Sequence, residues 1–326
     1  MHDAPKLVPG QLVGAYKVDA IAGEGANAHV YLVRHRMRTS LHALKVLKHA
    51  DARKRMRIEQ EAVFRDELRH PNIVPAIEAV DVNGRPGLVM DFVEGPSLDR
   101  WWHEADPSLA DRLAVLRGVL EGVGFAHERG VVHRDLKPSN VLLAKEGTRY
   151  VPRISDFGLA KALSPEIGRF GGLTTVNTGL GTVGYAAPEQ VRDASRVDHR
   201  ADLYAFGCLL YEATTGIAPF AGLSTMDTLL VQQQGRYRPS EEIAPGAPAA
   251  LHALIRELLS PRPEERPADA RAVAERLDRI VADVRRAPST PDVNVANDES
   301  ATLVTVAALC AIPTVALAIG AAVVLR

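Results

Sequence analysis

Two short runs constrain this chain more than anything else in it. Val132-His133-Arg134-Asp135-Leu136-Lys137-Pro138-Ser139-Asn140-Val141-Leu142 is followed by Ile154-Ser155-Asp156-Phe157-Gly158. An aspartate five residues ahead of an asparagine, then a second aspartate just before Phe-Gly, supplies oxygen ligands for Mg²⁺ and a carboxylate for a hydroxyl proton. Any fold for this chain has to bring Asp135, Asn140 and Asp156 to one place.

Upstream, Gly23-Glu24-Gly25-Ala26-Asn27-Ala28-His29-Val30 lies between two strand-like runs. Its glycines let a hairpin backbone approach phosphate oxygens with no Cβ in the way. A bare Gly-x-Gly is also an ordinary turn, and no helix follows it as in dinucleotide-binding motifs. Beyond Val30, Lys45 stands in His-Ala-Leu-Lys-Val, where alternation sends its ammonium to the side opposite Leu44 and Val46. A lone strand lysine is by default an edge residue in solvent. Glu61, in the helical run RIEQEAVFRDELRH, is the candidate partner that would orient it toward phosphate, although most helix glutamates are simply solvated.

Acidic and basic residues balance, 40 against 39 for a net charge of −1, so no nucleic-acid partner is expected. With 46% hydrophobic residues in 326, and only Cys208 and Cys310 far apart, the chain is neither disordered nor disulfide-stapled and suits a reducing compartment. Its length fits one large bilobal domain or two ordinary ones. The start, MHDAPKLVPG, has neither the basic cluster nor the apolar run of a secretory signal. Residues 301–325 run 25 positions without a charge, longer than the roughly 20 apolar residues a bilayer-spanning helix needs. A buried Ala-rich helix is the alternative, and Pro313 permits a kink within a membrane helix. Residues 286–300, containing APSTPDVNVANDES, have the composition of an exposed linker.

Residues 16–47 carry short β-type runs such as HVYLV and HALKVL, residues 51–69 a helical pattern, and residues 73–92 strands again, ending at LVMDFV. Beyond Gly95 the pattern is mostly helical, clearest in LADRLAVLRGVLEGVGFAHERG, DLYAFGCLLYEATTG and ARAVAERLDRIVADVRR. The expected fold class is α+β. A 1–15 extension leads into a small β-rich N-lobe over about 16–93 and a larger helical C-lobe over about 94–285, then linker 286–300 and a single transmembrane helix over 301–325.

Together these runs resemble the protein kinases, specifically the bacterial eukaryotic-like serine/threonine kinases that carry a transmembrane segment. The resemblance spans about residues 16–284. It implies a bilobal protein-kinase fold and transfer of the γ-phosphate of ATP, with Mg²⁺ or Mn²⁺, to serine and threonine hydroxyls of proteins. Asp135 would be the catalytic aspartate, Lys137 a contact to the γ-phosphate, and Asn140 and Asp156 the metal ligands. Ile21, Gly23, Glu24, Gly25, Ala26 and Ala28 would form the ATP-binding loop, Val30 and Ala43 would cover adenine, and Lys45 would hold the α and β phosphates with Glu61 as its partner. Met90 falls at the gatekeeper, with Asp91 to Val93 at the adenine-binding hinge. Lys137 two residues after Asp135, and Gly181-Thr182 ahead of Tyr185, follow the serine/threonine pattern. Ala187-Pro188-Glu189 would end the activation segment, Asp202 would steady the catalytic loop and Arg266 would pair with Glu189.

Three positions depart from the family pattern. Ala28 takes the place of the third loop glycine, His42 that of a small aliphatic residue, and Arg65 that of an apolar residue behind the site, with Phe64 available as its substitute. Arg134 directly before Asp135 goes, in the family, with control by activation-loop phosphorylation, and Thr174, Thr175 and Thr178 are the candidate sites. A threonine-rich exposed loop is the plain alternative. The expectation is a single-pass, tail-anchored kinase of the inner membrane, its catalytic domain facing cytoplasmic ATP and only Arg326 beyond the bilayer. Its partners would be protein substrates, the lipid bilayer and itself, through autophosphorylation, with or without a homodimer. Two alternatives stay open. A pseudokinase scaffold at the membrane is opposed by the presence of Lys45, Asp135 and Asp156, and a small-molecule kinase by the peptide-docking character of residues 181–189.

Overall fold

Alternating β-branched and aromatic residues build the first lobe. In the computed structural model, which describes residues 6–25, 28–48, 58, 67–157, 183–192 and 197–286, strands β1 (Leu12–Val13), β2 (Tyr16–Glu24), β3 (Ala28–His35), β4 (Leu41–Leu47), β5 (Ala76–Val82) and β6 (Arg85–Asp91) form one antiparallel sheet of order β1-β2-β3-β4-β6-β5. Period-two alternation assigns its faces. Val18, Tyr31, Val33, Leu44, Val46 and Val89 bury one side, while Ala43, Leu47, Leu88, Met90 and Val93 bury the other together with Ile58. The side bearing Ala43 and Met90 faces the site. The second half of the expected 1–15 extension is part of this lobe, since β1 pairs with β2 and Leu7 is buried with Tyr31 and Val33. Apart from Ile58 and residues 67–69, the helical pattern over 51–69 lies outside the described residues.

The second lobe is helical around two long elements. Helix α1 (Leu98–Ala105) is followed by α2 (Leu109–Glu128), α3 (Pro188–Arg192), α4 (Arg200–Thr215), α5 (Thr225–Gln233), α6 (Ser240–Ile243), α7 (Ala249–Leu258) and α8 (Ala270–Arg286). Helix α2 starts where the Ser108 hydroxyl accepts from the Asp111 amide at 3.2 Å, and its apolar stripe runs through Leu113, Leu116, Leu120 and Val123 into the core. Helix α4 is buried along nearly its whole length, with α2 and α7 packed against it and α8 packed in turn against α2 and α7.

Between α2 and α3 the chain departs from the helical pattern expected beyond Gly95. Residues 141–154 form an antiparallel hairpin, β7 (Val141–Glu146) with β8 (Arg149–Ile154), turned at Gly147. Val141, Leu143 and Ile154 bury its inner face, so a half-buried two-stranded ribbon is stabilised by the helices beneath it. Two glycines let other backbone pass close to this region. A Cβ on Gly95 would stand 1.9 Å from the Leu143 carbonyl oxygen, and one on Gly122 2.9 Å from the Asn72 carbonyl oxygen. Residues 287–326, with the expected linker and membrane run, lie outside the described residues. Among the described residues no helix is long and apolar enough to cross a membrane.

Candidate active site

The hairpin is what gathers the two sequence runs. Val141 pairs with Ile154, so the segment ending in Asn140 and the segment beginning at Ser155 leave the same end of the ribbon side by side. The Ser155 amide donates to the Asn140 carbonyl oxygen at 2.8 Å, which holds Asp156 next to Asn140. Asn72 ties the ribbon to the turn ahead of β5, its side-chain amide donating to the Pro152 carbonyl oxygen at 2.8 Å and its own carbonyl accepting from Ile154 at 2.9 Å.

On this base the polar side chains converge. Lys137 Nζ donates to Asp135 Oδ2 at 2.8 Å, and Asn140 Nδ2 donates to the Asp135 carbonyl oxygen at 2.8 Å and to Oδ2 at 3.2 Å. The Asp135 carboxylate is 42% exposed, open enough to meet a substrate from solvent. Lys45 crosses from β4 and donates to Asp156 Oδ1 at 2.7 Å, each side chain only 16% exposed. Leu44 and Val46 point into the sheet core as alternation requires, leaving Lys45 on the site side. Burial would raise the Asp156 carboxyl, but the charge and hydrogen bond of Lys45, with His133 and Lys137, hold it below the usual carboxylate range. Asp156 is therefore an anion at neutral pH.

The loop carrying Asp135 is held from below. Asp202, fully buried on α4, accepts from the His133 amide at 2.7 Å, the Arg134 amide at 2.7 Å and His127 Nε2 at 2.8 Å. Burial pushes its pKa up, and the His127 hydrogen bond and charge, with His133, outweigh that and leave it lowered. Arg134 takes a left-handed backbone, φ +64°, as does Asp156 at φ +66°. Such conformations are uncommon outside glycine and need surroundings that impose them. His133 supplies a second link, its Nε2 2.9 Å from the Ser155 carbonyl oxygen and its ring edge-on to Phe157 at 4.7 Å. Farther down, Arg266 is bidentate to Glu189 at 2.6 and 2.9 Å and also donates to the Arg200 and Ser260 carbonyl oxygens. The pairs expected of Asp202 and of Arg266 with Glu189 are thus present in the geometry.

Above the charged groups lies an apolar slot. Ala43 pairs with Met90 across β4 and β6, and both cluster with Val93, with Val30 and Leu142 packed against them. Leu142 escaped sequence reasoning because its strand did. Gly23 pairs with Val30, the Gly25 amide donates to the Ala28 carbonyl oxygen at 2.9 Å, and Ile21 is 48% exposed at the edge of this arch. The Glu24 carboxylate turns outward to Lys6 at 2.7 Å and Lys48 at 3.3 Å. Asp91 ends β6 with its amide donating to the Pro75 carbonyl oxygen at 3.0 Å. Ala26, Glu61, Arg65, Thr174, Thr175 and Thr178 lie outside the described residues, so the partner expected for Lys45 and the candidate phosphosites have no geometry here.

The family model described as a protein kinase domain matches residues 16–277. The chain belongs to the protein kinase family. Among curated relatives of this kinase domain, the serine/threonine-protein kinase PknH of Mycobacterium tuberculosis is 31% identical over 83% of the chain and 42% of its own length. The serine/threonine-protein kinase pkn3 of Myxococcus xanthus is 33% identical over 89% of the chain and 54% of its own. The chain spans about half the length of the curated relatives it matches. The PknI kinase domain of Mycobacterium tuberculosis superposes with a TM-score of 0.65 over 84% of this chain and all of that one, at 24% identity, which supports the bilobal kinase fold.

Proposed function

We propose that this chain is an active ATP-dependent serine/threonine protein kinase. The observation that carries the reading is the convergence of Asp135, Lys137 and Asn140 at one end of the hairpin with Asp156 and Lys45 beside them. Adenine would lie in the slot of Val30, Ala43, Met90, Val93 and Leu142, read by the backbone of Asp91 to Val93, with Ile21 and the Gly23 to Ala28 arch over the phosphates. The donor set fits Mg²⁺. Asp156 is held as an anion, and Asn140 turns its NH₂ toward Asp135, which leaves its amide oxygen as the second hard ligand. When bound, the ion neutralises charge on the phosphates. Lys45 places the α and β phosphates, Lys137 neutralises the γ-phosphate, and Asp135 accepts the proton of the acceptor hydroxyl as it attacks in line.

The same reading extends to regulation and anchoring. Autophosphorylation at Thr174, Thr175 or Thr178 is supported by Arg134, a half-buried guanidinium one residue from Asp135. Anchoring through residues 301–325 is supported by the uncharged run itself, and it places the catalytic domain with cytoplasmic ATP. The test is incubation of the full chain with Mg²⁺-ATP and a generic protein acceptor, followed by mapping of modified residues. Phosphoserine and phosphothreonine on the acceptor, and phosphothreonine between 174 and 178 on the chain itself, are expected. Nucleotide binding with no phosphoprotein formed would instead make the chain a scaffold.

A further inference from the structure

Residue Gln190, in none of the motifs above, spans two parts of the site. It follows Glu189 in the five-residue helix α3, which the Arg266 pair fixes to the C-lobe core. Its side-chain oxygen accepts from the Ala187 amide at 2.8 Å, and its side-chain NH₂ donates to the Arg134 carbonyl oxygen at 2.7 Å. Ala187 is fully buried, so its amide needs that acceptor. The Arg134 peptide is the strained one, φ +64°, directly before Asp135. Two side chains grip it from opposite sides, Asp202 at its amide, 2.7 Å away, and Gln190 at its carbonyl. The turn ahead of Ala187 is itself anchored to the core. The Val183 carbonyl oxygen accepts from Gln232 Nε2 at 3.0 Å and from the Ala186 amide at 3.2 Å, and the Tyr185 hydroxyl donates to Glu212 at 2.6 Å.

We infer that Gln190 is a positioning residue for phosphoryl transfer: its carboxamide locks the left-handed Arg134 peptide and fixes Asp135 relative to the segment against which the acceptor docks. This rests on the kinase reading above. A left-handed non-glycine residue persists only where its neighbours over-determine it. A carboxamide suits the task because it both accepts and donates, and the ion pair beside it keeps its backbone still.

The test compares the full chain with Gln190→Met, which matches the length but neither donates nor accepts, and Gln190→Glu, which still accepts from Ala187 but as a carboxylate cannot donate to Arg134. At pH 8, kcat for transfer to a protein acceptor should fall on the order of tenfold in both, with KM for ATP within about twofold of the parent. A glutamate titrates near about 4.3 and so stays a carboxylate from pH 8 down to pH 6, and both variants should remain low relative to the parent across that range. A parental kcat for Gln190→Glu at pH 8, or ATP affinity lost in step with kcat, would overturn the inference. Should Gln190→Met fail to fold, the split between kcat and KM for ATP in Gln190→Glu decides alone. A parent that transfers no phosphate would defeat the kinase reading itself. Amide exchange at Asp135 then decides the bridge, which stands if both variants exchange faster than the parent and falls if they do not.

Discussion

Lys45 and Asp156 are 111 residues apart in sequence, and their contact makes the site sensitive to acid in a definite direction. Asp156 and Asp202 both have carboxyls lowered on folding. A lowered carboxyl contributes stability that is fully present above its unfolded value of about 3.9 and is lost as the pH falls through its folded value. The thermal midpoint should therefore drop steeply below about pH 4. Lys45→Met removes the main influence holding the Asp156 carboxyl down and leaves only His133 and Lys137 against burial, so this group's contribution shrinks. That variant should be less stable than the parent at pH 7 and lose less on acidification, and parallel curves would contradict the account. Asp202→Ala strips the acceptor from His127 and from two backbone amides, and should cost about 3–5 kcal/mol of stability in denaturant titrations, as breaking a buried charge network does. At this scale the sequence was most legible where chemistry fixes spacing, as at Asp135, Asn140 and Asp156. Gln190, His127 and the role of His133 were not legible, because each acts through a partner far away in the chain or through a backbone atom that carries no sequence signal.

The elements follow hydrophobic period where burial is one-sided. Strands β2 to β4 and helices α2, α4 and α8 lie where alternation and the 3.6-residue stripe put them. The β7–β8 hairpin went unread, because its signal, Val141 and Leu143 alternating toward a Gly147 turn, is short and sits amid long helices. That hairpin is nevertheless what aligns Asn140 with Asp156. Gly95 crosses its first strand so closely that Gly95→Ala must push the hinge away from Leu143. The change should cost about 1–3 kcal/mol, read as weaker ATP binding with the C-lobe still folded. Unchanged ATP affinity would show that the hinge tolerates displacement. Arg266→Met leaves Glu189 with its charge and no mate beneath α3. The expected loss is about 3–5 kcal/mol, a fall in thermal midpoint on the order of 10 °C. A change of a degree or two would mean that Glu189 finds water instead.

At the scale of the whole molecule, a β-rich lobe supplies Lys45 and the apolar slot, and a helical lobe supplies Asp135, Lys137, Asn140 and Asp156. Neither lobe alone holds the full set. The two-lobe division was legible because composition changes near Gly95, from β-branched strands to Leu- and Ala-rich helices. The proposed anchor predicts that the full chain sediments with membranes and needs detergent for release, whereas a chain ending at residue 286 stays in the supernatant. Full-length protein soluble without detergent would remove the membrane from the account. The most direct test of the central claim is single-turnover transfer of labelled γ-phosphate from Mg²⁺-ATP to a protein acceptor, for the full chain beside Asp135→Asn, with ATP affinity measured on both. The account predicts transfer by the parent, a loss on the order of 10²- to 10⁴-fold in Asp135→Asn, and equal ATP affinity in the two. A parent that binds ATP without transferring it, or an Asp135→Asn variant as fast as the parent, would contradict it.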